Sequence, residues 1–161
     1  MRGYALFTDY YKDPEKTRAV MTEDGWLRTG DIGALDAQGR LSFSGRLKDM
    51  LKVGGENVAA LEIEGLLLTH PAVKMAQVVG APHDRLGEVP AAFIELSEGA
   101  HCGEEEIIEF CRDNIASFKV PRIVRFVEHW PSSATKIQKF KLVELLAHPQ
   151  PLNASCETAD E

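Results

Sequence analysis

The clearest periodicity in the chain lies in residues 60–69, where Leu61, Ile63, Leu66, Leu67 and Leu68 stand among Glu62 and Glu64. That spacing predicts a helix, stopped before Pro71, because proline disfavours helical backbone in the residue before it. Leu61, Leu66 and Leu67 are its expected core residues. Residues 104–115 predict a second helix, with Ile107, Ile108, Phe110, Cys111 and Ile115 apolar and the acids at its start. Negative charge there suits the helix dipole. A third helix is expected at 138–147. A short one begins at Asp13-Pro14-Glu15-Lys16, where Asp13 can cap, Pro14 fits the first turn and Glu15 suits the positive end. It runs to Met21 and stops before the turn pair Asp24-Gly25.

Strand patterns fill much of the remainder. Residues 3–7 (GYALF) and 26–28 (WLR) read as short strands, with Thr29-Gly30-Asp31 as a tight polar turn. Residues 32–35 and 40–44 flank Asp36-Ala37-Gln38-Gly39, a hairpin pattern. Residues 73–79 are β-rich and are ended by Gly80-Ala81-Pro82; 88–96 and 123–127 are further strands, the first linked through Asp84-Arg85-Leu86-Gly87. Residues 131–135 read as a polar loop, and the acidic tail from Pro149 as disordered. After residue 50 the order is therefore α-β-β-α-β-loop-α. Helices packed on a small sheet, an α+β domain, are expected. The residues before it have too few elements for a core of their own and read as the end of something larger.

Between the two parts lies GRLKDMLKVGGENV, residues 45–58. Its basic residues come first, and Gly54-Gly55 then breaks any regular element. It reads as a joint followed by a glycine loop. Gly-Gly also suits a simple hairpin turn, and both readings can hold.

Composition narrows the function classes. The chain has 161 residues, 44% hydrophobic and 27% charged, as in ordinary globular proteins. Its net charge of -7 argues against a general nucleic-acid or anionic-membrane binder. Local basic clusters at Arg46, Lys48 and Lys52 and at Lys136, Lys139 and Lys141 still allow a small anion such as phosphate. Cys102, Cys111 and Cys156 form no CxxC pair, and no Cys/His set has metal-ligand spacing. They read as free thiols of a reducing cytoplasm. No apolar run approaches the ~20 residues of a membrane span, and the N-terminus lacks a signal-peptide core. His70 and His148 precede prolines at helix ends, where a dipole favours them. His83, His101 and His129 read as loop residues, and Trp26 and Trp130 as packing residues.

Several motifs now coincide. Residues 26–33 (WLRTGDIG), the stretch GRLKDMLKVGGENV, Leu61-Glu62-Ile63-Glu64 and Thr135-Lys136-Ile137-Gln138-Lys139 together resemble the adenylate-forming acyl-CoA synthetases. These include fatty-acyl, aryl and coumarate CoA ligases and firefly-type luciferases. The resemblance runs to His148, with the motifs in the family's order and spacing. It implies a large domain that binds ATP and the acyl group, and a small C-terminal domain that swings on a hinge between two half-reactions. A carboxylic acid and ATP give acyl-adenylate and pyrophosphate; the thiol of CoA then displaces AMP. On this pattern residues 1–46 are the last piece of the large domain, 47–148 the small mobile domain and 149–161 a tail. The family's Ser/Thr/Gly phosphate loop and its aromatic-Gly-x-Thr-Glu segment are not in this sequence. The chain thus resembles a C-terminal portion, whose partners would be the acid, ATP, CoA and a separate large adenylation domain. ATP/AMP, CoA and Mg2+ are the implied cofactors, the Mg2+ site lying outside this chain.

The same resemblance implies roles residue by residue. Asp31 matches the aspartate that accepts hydrogen bonds from the ribose hydroxyls; a carboxylate can hold two vicinal hydroxyls. Read alone, it is better taken as a turn aspartate satisfying backbone N–H groups; the neighbouring motifs favour the ribose ligand. Arg46 matches the arginine near ribose and phosphate, with a solvated surface charge as its competing reading. Lys48 falls at the hinge, with Asp49 a weaker alternative. Gly54 and Gly55 would let the backbone approach a narrow thiol channel. Glu62 is structural, a helix N-terminal acid, and Ala60 stands where the family has proline. Lys136 matches the adenylation lysine, whose ammonium would orient the acyl carboxylate and the α-phosphate and offset developing charge. The family reads Thr-Gly-Lys there; Ala134-Thr135-Lys136 is one glycine shorter, a displacement of ~3.5 Å of chain. Lys139 and Lys141 read as surface charges. Two other readings stay open: a non-catalytic module acting on a partner, and a truncated gene product.

Overall fold

The computed structural model describes residues 1–133 and 136–147, divided into two units, Met1–Lys48 and Asp49–Glu161. Thus Ala134-Thr135, His148, Cys156 and the expected tail lie outside the described residues.

In the first unit, α1 (Pro14–Val20) starts as its sequence dictates: Asp13 accepts a hydrogen bond from Lys16 N at 2.9 Å and Pro14 opens the first turn. Strands β1 (Asp31–Leu35) and β2 (Leu41–Arg46) form the expected antiparallel hairpin. Its turn is organised by Asp36, whose carboxylate accepts the N–H groups of Gln38 and Arg40 and pairs with Arg40 Nε at 2.6 Å. The Arg40 N–H and then its guanidinium hold the Asp36 carboxyl below its usual range. Residues 3–7 are turns and bends, not a strand, and 26–28 contribute one isolated bridge, Met21↔Leu27. Both segments use their backbone groups singly, as in Leu27 N to Met1 O and Arg28 N to Val20 O, so no ladder extends from them. The only buried residue of this unit is Gly45.

The second unit opens with β3 (Met50–Val53) and β4 (Glu56–Ala59), a tight hairpin absent from the expected order. The segment is too short for its alternation to be read, and its turn residues dominate it. Then follow α2 (Ala60–Leu67), β5 (Val73–His83), β6 (Gly87–Leu96), α3 (Glu104–Asn114), β7 (Ile123–Phe126), β8 (Ser132–Ser133), β9 (Lys136–Ile137) and α4 (Lys139–Ala147). The sheet order is β4-β3-β6-β5, with β7 parallel to β6. Gly80-Ala81-Pro82 does not end β5, which pairs with β6 as far as His83↔Gly87. β5 is an edge strand, where the missing N–H of Pro82 costs no ladder bond. His83 therefore ends a strand, and its Nδ1 accepts from the N–H groups of Arg85 and Leu86. The expected loop at 131–135 is instead partly strand, Ser132↔Ile137 and Ser133↔Lys136 being paired. None of the described helices is long and apolar enough to cross a membrane.

Every residue from Val89 to Ile94 is buried. Alternate side chains of β6 feed two cores, as the period of a strand requires. Ala92 and Ile94 join Leu51, Ile63, Leu67 and Ile107 under α2 and α3. Val89, Ala91 and Phe93 join Leu142 of α4, with Trp130 and Ile137 packed beside them. Ile63 and Leu67 set the buried stripe of α2, so Leu61, two positions from Ile63, faces solvent at 42% exposure instead of entering the core. Trp130 packs, but it also donates its indole N–H to Glu95 Oε2 at 2.5 Å. Lys74 pairs with the same carboxylate. Lys74 first and then Trp130 hold the Glu95 carboxyl below its usual range.

Leu142 is the buried residue of α4. Leu142→Ala should lower unfolding stability by about 2–5 kcal/mol in urea titrations, from lost transfer and residual cavity. A second expectation concerns acid. Because the folded value of Glu95 is depressed, its stabilisation is present above the ordinary value of 4.5 and is lost as pH falls through the lowered one. In a Trp26→Phe background, Trp130 emission should shift on acidification below that value, and Glu95→Gln should abolish the transition.

Candidate functional site

The first unit brings Asp31 and Arg46 together. They are Cα partners at the open end of the β1–β2 hairpin, with Arg46 Nε 3.2 Å from Asp31 Oδ1 and both side chains solvent-accessible. The Thr-Gly that precedes Asp31 sets its backbone: Gly30 has φ +74° and Thr29 Oγ1 accepts from Asp31 N at 3.1 Å. Gly33 lies just past the point where Ser44 bulges out of β2, and a Cβ there would lie 2.5 Å from Ser42 O, so only glycine fits. A carboxylate acceptor and a guanidinium donor are thus presented side by side. That pair suits a ligand carrying vicinal hydroxyls and an adjacent anion.

Lys48 is exposed within a single 3-10 turn, Leu47–Asp49, and the division between the units falls after it. In the second unit, Gly54 and Gly55 form the turn between β3 and β4, with φ +60° and +93°. Positive φ at both positions is what a type I′ hairpin turn requires. The tip is exposed but pinned at its base, since Gly54 N donates to Leu86 O at 2.8 Å. A Cβ on Gly54 would lie 3.1 Å from Leu86 Cδ2.

Lys136 is exposed on β9, opposite Ser133. Ala134 and Thr135, where one glycine fewer is expected, lie outside the described residues; on either side of them Ser132 and Ser133 pair with Ile137 and Lys136. Gln138 N closes that hairpin onto Pro131 O at 2.8 Å. Glu62 sits in the first turn of α2 and pairs with Lys119 Nζ at 2.5 Å.

Lys139 is not a simple surface charge. Its Nζ lies 2.6 Å from Glu64 Oε1 and donates to Val78 O at 3.2 Å. Glu64 is buried at 6% exposure, and its Oε1 also accepts Val78 N at 2.8 Å. Sequence reasoning passed over this pair. The signal was the position of Glu64, one residue past Ile63 and three before Leu67, on the buried stripe of α2. A carboxylate on such a stripe needs a cation and an N–H donor. Lys141 remains exposed, as expected.

His70 is likewise more than a helix-end residue. It is buried, its Nδ1 accepts from Ala72 N at 3.3 Å and its ring meets Phe110 edge-on at 4.9 Å. Its Nε2 lies 3.8 Å from Glu106 Oε1, and the ligand atoms of His70, Cys102 and Glu106 fall within 4.8 Å of one another. Sequence spacing could not show this trio, since the fold brings it together from separate elements. The bond from Ala72 leaves the imidazole proton on Nε2, facing Glu106. Burial, and then the Glu106 carboxylate, push the Cys102 thiol up to about 11. The Cys102 thiol keeps its proton and donates to Gly103 O at 3.6 Å, so it is not a thiolate ligand. Burial also raises the Cys111 thiol to about 11. A cleft of about 450 Å3 lined by Ile108, Arg112, Ser117, Val120, Pro121 and Arg122 contains none of the residues singled out above.

Residues 62–136 match the family described as AMP-binding enzyme C-terminal domain. A mitochondrial medium-chain acyl-CoA ligase, ACSF2, of Danio rerio is 47% identical over 145 residues, which cover 89% of this chain and 24% of that protein. The putative acyl-CoA synthetase YngI of Bacillus subtilis is 46% identical over 144 residues, covering 89% of this chain and 26% of its own. Among solved structures, ATP-bound MatB from Rhodopseudomonas palustris superposes with a TM-score of 0.83 at 34% identity, over 89% of this chain and 29% of that one. The chain spans about a quarter of the length of the relatives it matches. With β5, β6, α3, β7 and most of α2 inside the matched segment, sequence and fold agree: residues 62–136 form an AMP-binding enzyme C-terminal domain, in a chain similar over 89% of its length to acyl-CoA ligases and synthetases.

Proposed function

We propose that the chain is the C-terminal part of an AMP-forming acid–thiol ligase that activates a fatty or aryl carboxylic acid with ATP and transfers the acyl group to CoA. The observation that carries this reading is the identity of 46–47% to acyl-CoA ligases across nearly all of the described chain. Residues 1–46 are the last piece of a large adenylation domain, 47–148 the mobile small domain and Lys48 the hinge between them. Leu35, Leu41, Phe43 and Leu47, at 57–71% exposure, support a first unit that packs on a larger body. Unpaired Cys102 and Cys111 favour a reducing compartment, the cytoplasm, although the Danio rerio relative is mitochondrial.

In the first half-reaction the acid's carboxylate oxygen attacks the α-phosphate of ATP and pyrophosphate leaves. Asp31 accepts from the ribose hydroxyls while Arg46 donates to ribose and phosphate oxygens, with their mutual bond keeping both groups in register. Lys136 places its ammonium between the acid and the α-phosphate, where it offsets the charge that grows as the bond forms. Mg2+ would be held by residues outside this chain, and nothing in the roles assigned here depends on it. In the second half-reaction the CoA thiol sulfur attacks the acyl carbonyl and AMP leaves. Gly54-Gly55 brings side-chain-free backbone to the thiol channel, and rotation at Lys48 exchanges the Lys136 hairpin for this turn.

A second reading is a module that acts in trans on a separate large domain; the compact second unit, with a hydrophobic core of its own, favours it. One set of measurements separates the two. The chain is tested alone, beside a separate large domain, and as a replacement for the matching C-terminal segment of the Bacillus subtilis relative. Pyrophosphate exchange is followed with fatty and aryl acids. The replacement should support exchange, and Lys136→Ala should lower it by about 100-fold or more. Exchange that survives Lys136→Ala unchanged removes the assigned role of that lysine. Exchange that the separate large domain gains from the free chain supports the module reading.

A further inference from the structure

The adenylation lysine proposed above sits on a short exposed hairpin, and such a hairpin is marginal by itself. Ser132, Ser133 and Lys136 bury nothing. What fixes Lys136 must therefore come from the flanks. On the leading side, Trp130 packs on the second core and donates to Glu95. On the trailing side, Ile137 packs on the same core, and two residues later Lys139 begins α4.

Lys139 is held unusually well for a lysine at the start of a helix. Val78 lies on edge strand β5, and its N–H and C=O are taken by Glu64 and Lys139. Glu64 comes from α2, which covers one core; Lys139 comes from α4, which covers the other. The pair therefore wraps the sheet edge and joins elements from both layers. Three chain steps separate Lys139 from Lys136, so their Cα atoms can be no more than about 11 Å apart.

We propose that Glu64 and Lys139, bridged by the Val78 backbone, form a strap that positions Lys136 for the adenylation half-reaction. Both are positioning residues; neither touches substrate. The inference rests on the acid–thiol ligase reading and deepens it. The strap belongs to the half-reaction that uses Lys136 and not to the one that uses the Gly54-Gly55 turn.

The test uses the same replacement enzyme, with two assays: pyrophosphate exchange, and thioester formation from supplied acyl-adenylate and CoA. Lys139→Met keeps the aliphatic stem and removes the charge; Glu64→Gln keeps an acceptor for Val78 N. Each should lower kcat for exchange by about 10- to 100-fold, with KM for ATP little changed. Each should leave thioester formation within about twofold, and Lys139→Arg should restore exchange, since it keeps charge and reach. On the chain alone, hydrogen exchange in residues 132–137 should rise in Lys139→Met while the β5–β6 ladder stays protected. A parallel fall of both half-reactions, a loss of protection throughout the sheet, or unchanged exchange kinetics would overturn the strap. An unmodified replacement enzyme without exchange would instead overturn the ligase reading. Exchange lost in Lys136→Ala but kept in Lys139→Met leaves that reading standing and removes the strap alone.

Discussion

β6 has no wet face. From Val89 to Ile94 every side chain is buried, and this requirement organises the second unit. An antiparallel hairpin usually leaves one sheet face to water. Here α2 and α3 must cover Ala92 and Ile94, while α4 must cover Val89, Ala91 and Phe93. Because α4 follows the Lys136 hairpin directly, docking α4 on the second core fixes where that hairpin can be. The same strand reaches β3 at Val53↔Gly87, which ties the Gly54-Gly55 turn to the β5–β6 corner. Two polar, exposed devices thus hang from opposite needs of one dry strand.

The first unit works the other way. Its backbone is exact where its packing is absent. Gly30, Gly33 and Gly45 set the hairpin geometry, with a bulge and two positive φ values, but no apolar side chain of the unit is buried. Local hydrogen bonds such as those of Asp36 hold the turn, and the Asp31–Arg46 pair closes the open end. Exposed ion pairs add little stability. A carboxylate and a guanidinium kept in register add little to folding and fit the ligand role proposed for them.

Legibility in the sequence followed the range of the interaction. Helices α1, α2 and α3 could be read, because capping by Asp13, the Ile63–Leu67 stripe and the acids of 104–106 are local signals. The β1–β2 hairpin was legible through Asp36 and Gly39. Of the β3–β4 hairpin only the Gly54-Gly55 turn was legible; its strands were not, since four-residue strands give too few alternations. The end of β5 was misplaced because Pro82 breaks a central strand but not an edge, and edge status is a tertiary fact. The proposed ligand groups Asp31, Arg46, Gly54, Gly55 and Lys136 were singled out from motifs alone. Their surroundings were not: Glu64, Lys139, Trp130 with Glu95, and the His70 cluster all depend on partners far away in sequence.

That difference has a physical origin. A group that meets substrate must be free, so it is spared long-range contacts and can be recognised by local pattern. A group that positions it must be tied to something rigid, and the tie is tertiary. An apolar residue at position 139 could dock α4 as well, but it could not satisfy the outward C=O of Val78 or the charge of Glu64. A buried ion pair is a weak source of stability compared with packed apolar groups. Its advantage is directional: it fixes one register of α4 against the sheet edge, and with it the place of the hairpin that carries Lys136.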